Sequence, residues 1–198
     1  MTKSANFTGS VSRTIRASIA VKELLLTDEK LISTISKVSE LLIDAFRSKN
    51  KLILFGNGGS AADAQHIAAE FVGRFAFNRA ALPAIALNVN TSCVTAIGND
   101  YGFDQVFSRQ IEALGRAGDV CVGISTSGNS TNVIQGVSAA KQMGIHTVGF
   151  NGGNGGKLKD TVDDCICIPS NETPRIQECH ILVGHIISEL VERAMFHE

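Results

Sequence analysis

Two sets of residues, far apart in the chain, have the types and spacing for proton transfer or metal binding. His66 and Glu70 stand four residues apart in a helix-forming run, so an imidazole and a carboxylate share one face about one turn apart. Asp63 lies on the same run. A later apolar segment carries Gln177, Glu178, His180, His185 and Glu189, with His185 directly after Gly184. Taken alone, an i, i+4 His–Glu pair is most often a solvated surface pair, and a histidine in an apolar helix is most often core. Two polar loops lift both sets above that background. Gly56-Asn57-Gly58-Gly59-Ser60 ends one apolar run, and Ser125-Thr126-Ser127-Gly128-Asn129-Ser130, with four hydroxyl residues in six positions, ends another. Each leads into a helical run whose first-turn N–H groups and dipole attract negative charge. The hydroxyl loop therefore reads as a cradle for a phosphate monoester.

Imidazole nitrogen and carboxylate oxygen suit zinc or a similar divalent ion. Gln177 is a weak ligand. In regular helix it would stand about 12 Å along the axis from His185. One ion reaches both only if Gln177 precedes the regular helix or a neighbouring subunit supplies one of them. Asn99 and Asp100 follow Gly98 in a segment of ordinary turn chemistry, with contact to a ligand hydroxyl as the functional reading. Arg74, after Gly73, is a basic residue at a helix end, and Gly152-Gly153-Asn154-Gly155-Gly156 reads as a flexible connection.

Apolar runs at 51–55, 83–87, 120–124, 147–150 and 165–168 are short and nearly continuous, the pattern of strands buried on both faces of a parallel sheet. Helical patterns at 61–75, 106–117, 131–143 and 174–196 lie between or after them. This alternation predicts an α/β fold: one Rossmann-like, doubly wound, five-stranded parallel sheet flanked by helices, with ligands at the carboxyl ends of the strands. Residues 1–48 read as extra N-terminal helices for packing or oligomerisation, the second capped by Asp28. Residues 49–198 hold the βα core and the C-terminal helix, all within a single domain 1–198.

The 198 residues include 18 basic and 19 acidic side chains, a net charge of −1, with no Trp and one Tyr. That balance lacks the basic footprint and stacking platforms of a nucleic-acid binder. Five cysteines, an odd number set mostly in apolar runs, read as free thiols of a reducing compartment, including Cys165 and Cys167 on one strand face. The polar first ten residues predict no secretory signal, and no apolar run is long enough to span a membrane.

Phe55-Gly56-Asn57-Gly58-Gly59-Ser60, His66 with Glu70, Gly98-Asn99-Asp100, Gly123-Ile124-Ser125-Thr126-Ser127-Gly128-Asn129-Ser130 and Arg175-Ile176-Gln177-Glu178 together resemble the sugar isomerase (SIS) family. More narrowly they are similar to its phosphoheptose isomerases, over nearly the whole chain and in the same order. The resemblance implies conversion of sedoheptulose 7-phosphate to D-glycero-D-manno-heptose 7-phosphate, the first step of bacterial surface heptose synthesis. It implies a cytoplasmic homotetramer with sites between subunits and one zinc ion per subunit. By the same resemblance His66, Glu70, Gln177 and His185 match the metal positions, and Glu70 and His185 the acid–base pair. Asn57, Gly58, Gly59, Glu70, Asn99, Asp100, Ser125, Thr126, Ser127, Ser130 and Gln177 match the substrate positions. The chain departs from the family pattern at Pro174, where relatives often carry an acidic residue, and in a segment 88–96 about one residue longer. A non-catalytic tetrameric scaffold of the DnaA initiator-associating type is the second reading, and His185 discriminates against it. A sugar-phosphate sensor is the third, but a chain of this length has no room for the usual DNA-binding domain.

Overall fold

The computed structural model describes residues 7–196. Two helices come first, α1 (Phe7–Thr27) and α2 (Glu29–Arg47). Asp28 divides them by capping α2, its carboxylate accepting from the Leu31 N–H at 3.0 Å. The alternating region then runs β1 (Leu52–Gly56), α3 (Gly59–Val72), β2 (Ala84–Ala86), α4 (Thr91–Tyr101), a 3-10 turn (Phe103–Gln105) and α5 (Ser108–Leu114). It continues through β3 (Val120–Ile124), α6 (Thr131–Gln142), β4 (His146–Gly152), α7 (Gly156–Thr161) and β5 (Asp164–Ile168) to the long α8 (Thr173–Phe196).

All five strands are parallel, in the order β2-β1-β3-β4-β5. Every residue of β1 and β3 is buried, as their unbroken apolar runs require of strands covered on both faces. One face packs Leu52, Leu54, Val122 and Phe150 under α2, α3 and α8; the other packs Ile53, Phe55 and Cys121 under α5, α6 and α7. In this strand order the winding reverses between β1 and β3, which opens a crevice at their carboxyl ends. The glycine loop leaves β1 there and the hydroxyl loop leaves β3 beside it.

Three local expectations are corrected. Asn99 and Asp100 lie in the last turns of α4, not in a loop. That helix starts where Asn90 accepts from the Cys93 N–H at 3.0 Å, but β-branched residues and Gly98 hide it from a propensity reading. The expected helix 106–117 is a 3-10 turn followed by the shorter α5. The glycine segment 152–156 is not a loose connection: it ends β4 and leads into α7. The five cysteines are free thiols, and burial raises the thiol pKa of Cys121, Cys165, Cys167 and Cys179. Among the described residues no helix is long and apolar enough to cross a membrane.

His180 of α8 is fully buried against Phe150. Its Nε2 donates to the Asn151 carbonyl at 3.1 Å, while Nδ1 has no partner among the described residues. Burial pushes its pKa down from 6.5 to about 4. The unfolded chain thus takes up a proton below pH 6.5 that the folded chain refuses until about 4. Stability present above that window is lost as pH falls through it, by about 2 kcal/mol at pH 5. His180→Gln keeps a donor and removes the titration. Melting at pH 5 and pH 7.5 should show a smaller gap between the two values in the variant than in the parent; an equal gap would assign the acid sensitivity to other groups.

Candidate active site

α3 and α8 cross where both carry small residues. A Cβ on Gly184 of α8 would lie 2.5 Å from Ile67 Cδ1 and 2.6 Å from its Cγ1, so glycine is what allows this approach. The approach brings the residues next to these two, His66 and His185, together. His66 Nε2 stands 3.0 Å from His185 Nε2 and 3.0 Å from Glu70 Oε1, and His185 Nε2 is 4.0 Å from that same oxygen. The Phe75 ring covers one side of His185, with centroids 5.8 Å apart. These contacts use Oε1 of Glu70 and leave Oε2 for another species. Asp63, one turn before His66, has Oδ2 buried without a partner among the described residues. Burial raises its pKa to about 6, against the pull of His66.

The three ligand atoms of His66, Glu70 and His185 all lie within 4.8 Å of one another. A tetrahedral ion with bonds of about 2.0–2.1 Å separates its ligands by about 3.3 Å, and the observed separations bracket that spacing. The donor set, two imidazoles and a carboxylate, fits a divalent cation. Gln177 stands eight residues before His185 on α8. α8 is unbroken from Thr173 to Phe196, so Gln177 and His185 are about 12 Å apart along one axis. Its side chain rests on the start of α3, where a Cβ on Gly59 would be 3.0 Å from Gln177 Cδ and closer still to Nε2.

The hydroxyl loop follows β3 at the crevice and is held by its own polar groups and by the glycine segment. Ser125 and Ser130 pair through their hydroxyls at 3.0 Å and Ser130 makes no capping bond to α6; in the first turn the Val133 N–H is taken by Asn132 Oδ1 at 2.9 Å. Ser127 is exposed, and its hydroxyl accepts from the Asn129 N–H at 3.2 Å. The glycine-rich segment braces this loop from behind. Gly152 N–H donates to the Thr126 carbonyl at 3.1 Å, Leu158 N–H to the Gly128 carbonyl at 2.9 Å, and Lys157 N–H to Asn129 Oδ1 at 3.2 Å. The backbones are so close that a Cβ on Gly128, at φ 64°, would overlap the Gly155 carbonyl. A polar cavity of about 240 Å³, lined by Thr126, Ser127, Asn154 and Asn171 among others, opens beside it. A larger apolar cleft of about 440 Å³ opens by Lys51 and Pro83, at the amino ends of β1 and β2 and away from this chemistry.

Of the other expected substrate residues, Gly58 and Gly59 are exposed at the start of α3. The Asn57 amide pairs reciprocally with Asn132 of α6, at 2.8 and 2.9 Å, and so ties the two loops across the crevice. Asn132 was not singled out in the sequence; its only signal there is its place two residues after the hydroxyl loop. Asn99 donates to Asp100 at 2.7 Å on the exposed end of α4, and neither joins the His–Glu–His cluster within this chain. The Arg175-Ile176-Gln177-Glu178 motif is divided in use. Arg175 donates to the Thr14 carbonyl at 2.8 Å and to Glu178 at 2.6 Å, and Glu178 accepts from Ser18 at 2.6 Å. This pair fastens α1 to α8 while Gln177 faces Gly59.

Comparisons with known proteins agree with this geometry. The sequence profile of the SIS domain matches residues 19–152. A phosphoheptose isomerase of Roseiflexus sp. is 55% identical over 195 residues, covering 98% of each chain. One from Aneurinibacillus thermoaerophilus is 55% identical over 182 residues, 92% of each. The structure of a phosphoheptose isomerase from Neisseria gonorrhoeae superposes with a TM-score of 0.89 at 43% identity, covering 94% of this chain and 99% of that one. With strand order, hydroxyl loop and His–Glu–His cluster all in place, the chain belongs to the SIS-domain family, within its phosphoheptose isomerases.

Proposed function

We propose that this chain converts sedoheptulose 7-phosphate to D-glycero-D-manno-heptose 7-phosphate, at the start of heptose synthesis for a surface glycan such as the lipopolysaccharide core. The observation that carries the reading is the meeting of Glu70 with His66 and His185 beside a hydroxyl loop. The 7-phosphate rests on Ser125, Thr126, Ser127, Ser130 and the start of α6. Its binding energy holds C1 and C2 at the cluster. Glu70 takes a proton from C1 through its open oxygen and returns it to C2. His185 gives a proton to O2 and removes one from O1 through Nδ1, the ring nitrogen not used in its contacts with His66 and Glu70, so the ketose and aldose differ only by these transfers. Phe75 limits water on one side of the imidazole.

We assign the cation position to zinc, one per subunit, held by His66, Glu70 and His185. When bound there it would supply Lewis-acid polarisation of the sugar oxygens and offset charge developing on them. Gln177 stands about 12 Å before His185 along α8, a separation that favours a second copy supplying it to such a site. That fits a homotetramer with sites between subunits. Phe7, Val11, Ile15 and Ile19 form an exposed apolar stripe at i, i+4 spacing on α1, suited to packing on other copies. The scaffold reading is not favoured: the imidazole of His185 is present and placed against Glu70, and the similar proteins are named as isomerases. A cytoplasmic location fits the free cysteines.

The function is tested by incubating the purified chain with sedoheptulose 7-phosphate and looking for an aldoheptose phosphate. Recovery of the ketose alone would overturn it. Ser127→Ala removes one hydroxyl from the cradle. It should weaken sugar-phosphate binding by about 1.5 kcal/mol, roughly tenfold in Kd, with kcat changed much less. An unchanged Kd in calorimetric titration would argue against the cradle.

A further inference from the structure

The two helices that carry the cluster are joined a second time, two turns beyond His185, by groups outside the cluster. Glu192 of α8 is 1% exposed. Its carboxylate accepts from the N–H groups of Phe75 and Ala76, at 2.8 and 2.7 Å, and from Arg79 Nε at 3.0 Å. Burial alone would raise the Glu192 pKa; the two amides and Arg79 outweigh it and hold the carboxyl below its usual range. The Arg79 side chain is 2% exposed and turns its remaining donors on the end of α3. Nη2 donates to the carbonyl of Glu70 at 2.7 Å, and Nη1 to those of Phe71 at 2.6 Å, Gly73 at 3.1 Å and Ala80 at 3.0 Å. The carbonyls of Glu70 and Phe71 belong to the last turn of α3 and have no acceptor role left within the helix. Arg79 therefore caps the helix that carries His66 and Glu70, Glu192 fastens that cap to the helix that carries His185, and the segment held between them bears Phe75.

We propose that Arg79 and Glu192 are positioning residues for the isomerase site: they hold the Glu70 backbone and the pitch of α8 so that Glu70, His66 and His185 keep their mutual distances. The proposal rests on the function given above. A planar guanidinium reaching several carbonyls at once does what a lysine cannot, since an ammonium on a flexible stem has no fixed fork.

The test compares the parent with Arg79→Lys, Glu192→Gln and the double variant Arg79→Met/Glu192→Met. Zinc affinity is measured by competition titration, kcat and KM with sedoheptulose 7-phosphate, and folding by circular dichroism and melting. Outer groups that orient ligands typically change metal affinity by about 10–100-fold when lost. Each folded variant is expected to lose zinc affinity in about that range and kcat by about tenfold or more, with KM changed less than about threefold because the hydroxyl loop is not involved. The double variant separates positioning from mere stability. It removes both buried charges but also leaves the amides of Phe75 and Ala76 and the carbonyls of Glu70 and Phe71 without these partners, so kcat and zinc affinity should stay low whatever melting temperature it reaches. Recovery of kcat and zinc affinity along with the melting temperature would overturn the proposal, as would parent values in the folded single variants. A parent without isomerase activity overturns the underlying function and the positioning role with it; an active parent with unmoved variants overturns the positioning role alone.

Discussion

Glu70→Gln is expected to lower kcat by about 10³-fold or more while the chain stays folded and still binds sugar phosphate. General base catalysis supplies about 10²–10⁴, and Glu70 is the carboxylate that stands 3.0 Å from the His66 imidazole and 4.0 Å from that of His185. Glutamine matches its size, so the crossing of α3 and α8 at Gly184 and Ile67 is undisturbed. The hydroxyl loop belongs to β3 and α6, not to these helices, so phosphate binding should persist. Steady-state rates with a parallel binding titration check this. Full turnover by the variant would remove Glu70 as the base.

Chelation should have an effect of similar size. Dialysis of the active enzyme against a chelator is expected to reduce activity at least about 100-fold, and added zinc to restore it. The sheet and both cores owe nothing to the cluster, which sits at the partly exposed faces of two helices, so circular dichroism should be unchanged by the treatment. Metal-free protein with undiminished activity would refute the requirement.

Much of this was legible in the residues because each signal was local. The runs at β1 and β3 declare buried parallel strands, Asp28 marks a helix start, and the hydroxyl-rich segment marks the loop between β3 and α6. His66 and Glu70 are neighbours by helical spacing alone. Bringing His185 to them was legible only through the family resemblance, because spacing carries no sign of Gly184 meeting Ile67 across 117 positions of sequence. For the same reason Arg79 and Glu192 gave no sign: an arginine in a loop and a glutamate near a helix end are ordinary until their shared burial is seen. α4 was missed because Thr91, Val94, Thr95 and Gly98 are poor helix formers, and the helix forms because Asn90 caps it and Val94 and Ile97 pack on the core. The glycine segment 152–156 looked loose because its role is backbone contact, which has no side-chain signature.

Solvent isotope uptake during turnover tests the central claim most directly, that a carboxylate carries a proton between C1 and C2. Glu70 is 21% exposed, so its proton exchanges with water. With sedoheptulose 7-phosphate in heavy water, the aldoheptose phosphate should carry deuterium at C2, read by NMR. Product that retains the original C1 hydrogen at C2 in full would contradict the account.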